Sequence, residues 1–471
     1  MRNEIEEIIN QLTDGKRLFD FEIYFSEVFS KKKGFDVVIG NPPYLEARSK
    51  EFKQEIKNKL QDNVKKLVGK QSQYIPRGSD LLIYFFFVSL RLVNEKGFVV
   101  KITQNSWLDT EYGRKFQKYL LLNTYVKYIV DSDFKYFDTA NINTIITIFQ
   151  GNKPCPENYT VFIRYKVSYS DLGLFTAINL DDSTYAEIKR IGSDAEILES
   201  LKWGTIHISD NRTFQLIQKL DQKGIKVSKV GEAMLSIGQG LNLQKKYVIS
   251  NKDIKKYDLK KSYLIPFITT TDAASFKIIS TEKYLINGAQ IPEDAKKRLV
   301  NDGVGIFSPS STTKPSPVLI MPRGIGERHY CSINQTQGYS DSGVDVYSKA
   351  SKLDDKILIN LWAFFNSSIF WLIREITGRK NLGGGMLKAE AVDIRYYPVY
   401  FELSQLDEIK QILNEISKRK PLPVAEETFT KEHKRIDKII FDFLEISQNT
   451  RQRVVQNLLY LVDSRRKKSR T

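Results

Sequence analysis

The chain has 471 residues and carries 72 lysines and arginines against 56 aspartates and glutamates, for a formal net charge of +16. That length calls for two or three domains with cores of their own, since single cores seldom grow past roughly 250–300 residues. The basic balance serves solubility and also favours an anionic partner, with nucleic acid the natural candidate. The two cysteines, Cys155 and Cys331, allow no disulfide framework, and the three isolated histidines, His207, His329 and His433, offer no ligand set, so no metal is expected.

The first residues are charged and polar, read as helical, and lack the apolar stretch of a signal peptide. Phe35-Asp36-Val37-Val38-Ile39-Gly40 follows, uniformly apolar over Val37-Val38-Ile39, the pattern of a strand covered on both faces inside a parallel sheet. Such a strand is not expected at an edge. It runs directly into Asn41-Pro42-Pro43-Tyr44, a loop stiffened by two prolines whose carbonyls stay free for other donors. Residues 81–92 are apolar with helical spacing and too short to span a bilayer, which predicts a buried helix in a cytoplasmic protein. Ser79-Asp80 before it reads first as capping chemistry for the free amides of that helix, and second as a group near a cofactor.

Residues 19–29, 35–44, 78–85, 97–108 and 140–149 together resemble, in order and spacing, the amino-group DNA adenine methyltransferases, in particular the methylase half of type IIG restriction-modification enzymes. The resemblance implies a site-specific, adenine-specific DNA methyltransferase in a restriction-modification system, using S-adenosyl-L-methionine on double-stranded DNA. It assigns catalysis to Asn41, Pro42, Pro43 and Tyr44. The amine of adenine is a poor nucleophile because its lone pair is delocalised into the ring. The Asn41 amide oxygen and the Pro42 carbonyl can accept its two N–H bonds and favour a tetrahedral nitrogen, while Tyr44 offers a face to an extruded base. Phe137, before the strand at 140–149, is the candidate for the opposite face, although core packing is the commoner role of one such ring. Asn41 and Asp80 are the candidate cofactor contacts.

Relatives place a glycine-containing cofactor motif and an acidic residue on strands well before the catalytic loop, whereas only forty residues precede Asn41 and they hold no strand with a Gly-x-Gly turn. The later Gly238 and Gly240 are too isolated to take that part. The expectation is therefore a second polypeptide that supplies the missing half of the sheet and most of the cofactor pocket. A noncatalytic DNA-binding specificity subunit and an inactive truncated methylase are the alternatives.

Gly151-Asn152-Lys153-Pro154-Cys155-Pro156 marks a boundary. The resulting plan is a catalytic half over 1–150, a connector over 151–204, a target-recognition domain over 205–400 that resembles the TaqI-like C-terminal specificity type, and a helical segment over 401–471. The fold class is α/β: a partial Rossmann-like methyltransferase sheet, then an α+β recognition domain and a helical C-terminus. Within the recognition domain, Arg379, Lys380 and Lys388 flank the turn Gly383-Gly384-Gly385, and Arg323 and Arg328 flank another glycine-rich stretch, making these five the candidate DNA contacts. The run Arg465-Arg466-Lys467-Lys468 reads as a solvated, disordered tail.

Overall fold

In the computed structural model of the chain, Phe21, Phe25 and Phe29 recur every fourth residue and so share one face of two short consecutive helices, α1 (Phe21–Tyr24) and α2 (Ser26–Lys32). All three rings meet Phe35 edge-on, at centroid distances of 6.1, 5.3 and 5.4 Å, which fixes the entry into strand β1 (Phe35–Gly40). Lys33, left-handed at φ 58°, ends α2 and turns the chain toward that strand. The described residues run from 21 to 470, apart from 47–48, 51–52, 77, 135–142, 152–157, 168–184, most of 193–201 and of 209–234, and 311–313, 349–352, 383–384, 395–397 and 400–401. They divide into two units, Met1–His207 and Ile208–Thr471.

The first unit is built on one mixed six-stranded sheet. Its strands are β1, β2 (Val93–Gln104), β3 (Tyr125–Ser132), β4 (Thr144–Gln150), β5 (Tyr159–Tyr165) and β6 (Ala186–Gly192), in the order β1-β2-β4-β3-β5-β6. β1 runs parallel to β2 with Gly40 opposite Lys101, and β4 pairs antiparallel with both β2 and β3. The boundary expected near residue 151 falls inside this sheet, because β5 and β6 continue it from residue 159 to 192. Helices α3 (Gln54–Val68), α4 (Leu81–Leu92) and α5 (Glu111–Asn123) connect and cover it. α4 is the buried helix that its apolar sequence predicts: Phe86 sits among Phe116, Phe149 and Trp107 at 5.1, 5.5 and 5.8 Å, although Phe85 and Val88 face outward. α5 starts tightly against the turn after β2, where a Cβ on Gly113 would overlap the Trp107 carbonyl.

β1 departs from its sequence pattern. Among the described residues it pairs on one side only, and Val37 and Ile39 are 56% and 77% exposed. The apolar run is that of an interior strand; the place it occupies is an edge.

In the second unit a five-stranded sheet and helices share one large core, while a four-stranded sheet packs on two smaller clusters, around Ile249, Ile286 and Leu299 and around Phe267, Leu285 and Phe307. The three-stranded sheet β7 (Gly324–Ile325), β9 (Met386–Lys388), β8 (Arg379–Leu382) stands apart in this order on its own small core of Ile325, Leu387 and Ala389. Helices α6 (Asp355–Phe365), α7 (Ser368–Thr377), α8 (Leu406–Ile416), α9 (Lys431–Phe443) and α10 (Gln448–Arg470) supply the remainder. Ile412, Ile440 and Leu458 join Trp362 and Trp371 in the large core, so residues 401–471 close the same body as the strands before them. The expected disordered tail is instead the end of α10, with Arg465 buried. Its apolar neighbours Val454, Leu458, Leu461 and Val462 recur at helical spacing, and that stripe carries the helix inward.

Candidate active site

The Asn41-Pro42-Pro43-Tyr44 loop leaves the C-terminal end of β1. Pro42 is buried and Tyr44 half-buried, while Asn41 and Pro43 are exposed. The Tyr44 hydroxyl donates to the Asn41 side-chain oxygen at 2.7 Å, and partial burial holds the phenol above its ordinary pKa, so it stays a donor at neutral pH. An amide oxygen has two lone pairs, and this bond aims Asn41 while leaving one of them. Farther along, the Leu45 carbonyl accepts from the Leu81 amide at 3.1 Å, tying the loop to the first turn of α4.

The reading of Asp80 is corrected by its side-chain partners. The side chains of Ser79 and Asp80 do not cap α4: Ser79 Oγ donates to the Pro76 carbonyl at 2.8 Å, and Asp80 forms no side-chain cap bond. The buried Asp80 carboxylate turns instead to the end of β2. Its Oδ2 accepts from Gln104 Nε2 at 2.9 Å, from Ser106 Oγ at 3.3 Å and, at the shortest distance, from the Tyr112 hydroxyl. Burial first, and the charge of Asp80 second, push the Tyr112 pKa far up, so the phenol remains a donor. Sequence reasoning did not anticipate Gln104, Ser106 and Tyr112 as partners of Asp80.

Lys101 is a second unanticipated residue. It lies beside Gly40 with its ammonium 2.7 Å from where a Cβ on Gly40 would stand, it is 5% exposed, and burial lowers its pKa. Phe137 lies outside the described residues, and Phe134 is exposed.

In the second unit, three of the five cations predicted to touch DNA converge on one carboxylate. Arg323 grips Glu390 with two bonds of 2.8 and 2.9 Å, Lys388 lies at 3.0 Å and Arg379 at 3.4 Å. Those contacts outweigh the cost of burial and hold the Glu390 pKa at about 2. Arg328 is exposed, and the side chain of Lys380 lies outside the described residues. The turn is anchored from behind: Arg465 donates to the carbonyls of Gly385 and Gly326, and to both oxygens of Glu375 at 2.9 Å. His329 completes this fully buried group, its Nε2 2.8 Å from Glu375. Ser368, His433 and Asp437 also meet, but all three are buried: the Ser368 amide and hydroxyl donate to Asp437 and hold the start of α7 against α9, while Ser367 caps the helix, so this serine is a packing contact and not a nucleophile.

No group of three or more potential metal ligands occurs among the described residues, and no single helix there is long and apolar enough to cross a membrane.

Residues 1–137 match the family model for the Eco57I restriction-modification methylase. The chain is 28% identical over 266 residues to the type II methyltransferase M.BstVI of Geobacillus stearothermophilus, covering 54% of this chain and 44% of that one. It is 20% identical over 318 residues to the type II methyltransferase M.AccI of Acinetobacter calcoaceticus, covering 66% and 53%. The chain thus spans about half the length of these curated relatives. Among solved structures, the type IIL restriction-modification enzyme MmeI, determined in complex with DNA, shares the fold at a TM-score of 0.50 and 12% identity, over 92% of this chain and 57% of that one. The first unit is thus similar over residues 1–137 to the Eco57I methylase model, and the chain is similar in part to the type II methyltransferases of restriction-modification systems.

Proposed function

We propose that the chain transfers a methyl group from S-adenosyl-L-methionine to the exocyclic amine of adenine in double-stranded DNA, as the catalytic and recognition part of a cytoplasmic restriction-modification enzyme. The observation that carries this reading is the loop after β1, in which an exposed carboxamide is aimed by the hydroxyl of its neighbour Tyr44. Asn41 accepts one N–H of an extruded adenine on its remaining lone pair, and the Pro42 carbonyl accepts the other. Both bonds strengthen as the nitrogen becomes tetrahedral and gains positive charge, so they favour the transition state over the ground state. Tyr44, Pro43 and, from the opposite side, Phe137 pack on the purine. S-adenosyl-L-methionine supplies the electrophilic methyl group.

The described residues fit that cofactor only in part. Asn41 is open to it, but the Asp80 carboxylate already receives three side-chain donors, and we assign Asp80 to holding the end of β2 against α4 and α5. The exposed flank of β1 is the edge on which further strands, with most of the cofactor pocket, would add; we infer that a second polypeptide brings them. Arg323, Arg328, Arg379, Lys380 and Lys388 are the proposed DNA contacts.

The test is transfer of labelled methyl to mixed-sequence unmethylated duplex by the purified chain, alone and mixed with the product of the adjacent upstream gene. Transfer in the mixture alone is expected. Transfer by the lone chain would overturn the second polypeptide, and transfer in neither would overturn the enzymatic reading.

A further inference from the structure

Three cations that share one carboxylate leave two positive charges over. Arg323, Arg379 and Lys388 arrive from different segments: Arg323 precedes β7, Arg379 opens β8 and Lys388 ends β9. The sheet brings them to one place, with Gly324 and Arg379 both opposite Lys388 and the Ala389 amide bonded to the Arg323 carbonyl at 3.0 Å. Each side chain keeps access to solvent, with exposures of 26%, 35% and 23%, whereas Glu390 is less exposed at 17%. The carboxylate is thus the most buried of the four charged groups. Glu390 is itself fixed, its amide donating to Asp393 Oδ2 at 2.9 Å. The other end of the hairpin is held through the carbonyl of Gly385 by the buried Arg465.

We propose that Arg323, Arg379 and Lys388 form one contact site for a DNA phosphate, and that Glu390 is its positioning residue. The inference rests on the DNA-binding reading above and adds to it a role for an acidic residue that a charge count would score as harmful. Long cationic side chains lose rotamer freedom on meeting a phosphate. Glu390 imposes that order beforehand, fixing the Arg323 guanidinium by a two-point contact and drawing the other two cations beside it. The retained excess of two positive charges then faces outward for the phosphodiester.

The sign of one substitution separates this role from mere neutralisation. Glu390→Gln removes a negative charge from a DNA-facing surface, which by charge alone tightens binding. Preorganisation requires the opposite. With the full chain and a mixed-sequence duplex titrated across salt concentrations, the variant is expected to bind on the order of tenfold more weakly at about 0.1 M salt, and the slope of log K against log salt is expected to shrink by about one to two. Tighter binding, or an unchanged slope, overturns the proposal. A change in folded fraction alone lowers apparent affinity without altering the slope. If Glu390→Gln does not fold, the double variant Arg379→Gln with Lys388→Gln keeps the Arg323–Glu390 pair and should show the same loss of slope; an unchanged slope overturns the site. A wild-type chain with no salt-dependent DNA affinity would instead sink the DNA-binding reading, whereas normal wild-type binding beside an unaffected Glu390→Gln would sink this site alone.

Discussion

β1 and α7 are both strongly apolar, and they end at opposite extremes of burial. Every residue of α7 from Ser368 to Thr377 is buried, whereas Ile39 of β1 is 77% exposed. The second unit covers its apolar segments with its own helices and accommodates buried charge by pairing it. The first unit leaves one apolar strand with a free flank among the described residues. The difference teaches that, among the described residues, the second unit closes its own core, while the sheet of the first unit keeps one flank open.

The largest effect is expected where the second unit is most closed. Arg465→Met leaves Glu375 buried without its cation, and breaking such a pair costs about 3–5 kcal/mol. Denaturant unfolding followed by the fluorescence of Trp362 and Trp371 should show the loss, while Trp107 and Trp203 of the first unit should report little change. Asn41→Ala should lower methyl transfer by about 10²–10³-fold with DNA affinity held within about twofold; a parallel fall in both would remove Asn41 from the chemistry. Gly113→Ala forces a methyl group into the Trp107 carbonyl, at a cost of about 1–3 kcal/mol to the first unit by thermal melting.

A smaller effect follows from His329. Burial lowers its pKa from 6.5 to about 4, and the Glu375 contact offsets this only partly. The unfolded chain therefore binds a proton that the folded chain refuses, so this contribution to stability is full above pH 6.5 and falls as the pH drops toward 4. His329→Gln should flatten that part of the stability–pH curve. The smallest effect on stability, within about 0.5 kcal/mol, is expected for Ile39→Lys, because the side chain is already in water. The same variant should abolish complementation by the second polypeptide. A large loss of stability from it would mean that the flank is covered within the chain itself, and the contrast between the two regions would fail.

What could be read in the sequence was local. The loop from Asn41 to Tyr44 declares itself because its chemistry lies in four consecutive residues, α4 follows from its apolar helical pattern, and β4 was read from the family resemblance. Asp80 was misread because its partners Gln104, Ser106 and Tyr112 lie 24 to 32 residues away, while the capping pattern is adjacent. Arg465 was misread because a basic terminal run looks solvated, and the carboxylate that draws it in stands 90 residues earlier. The assignment of Arg323 to DNA gave no hint of Glu390, 67 residues on. In each case the decisive partner was an oppositely polar group brought near by the fold, which no local pattern records.

The manner in which Arg465 holds the hairpin bears on which of its side chains are free to change. Its partners in Gly385 and Gly326 are main-chain oxygens. Every amino acid presents the same carbonyl, so the anchor does not depend on which side chains the turn displays. Gly385 itself, at φ 68°, is constrained by its backbone. Side chains elsewhere on the hairpin, such as the exposed Met386, can therefore change while the anchor beneath keeps its geometry.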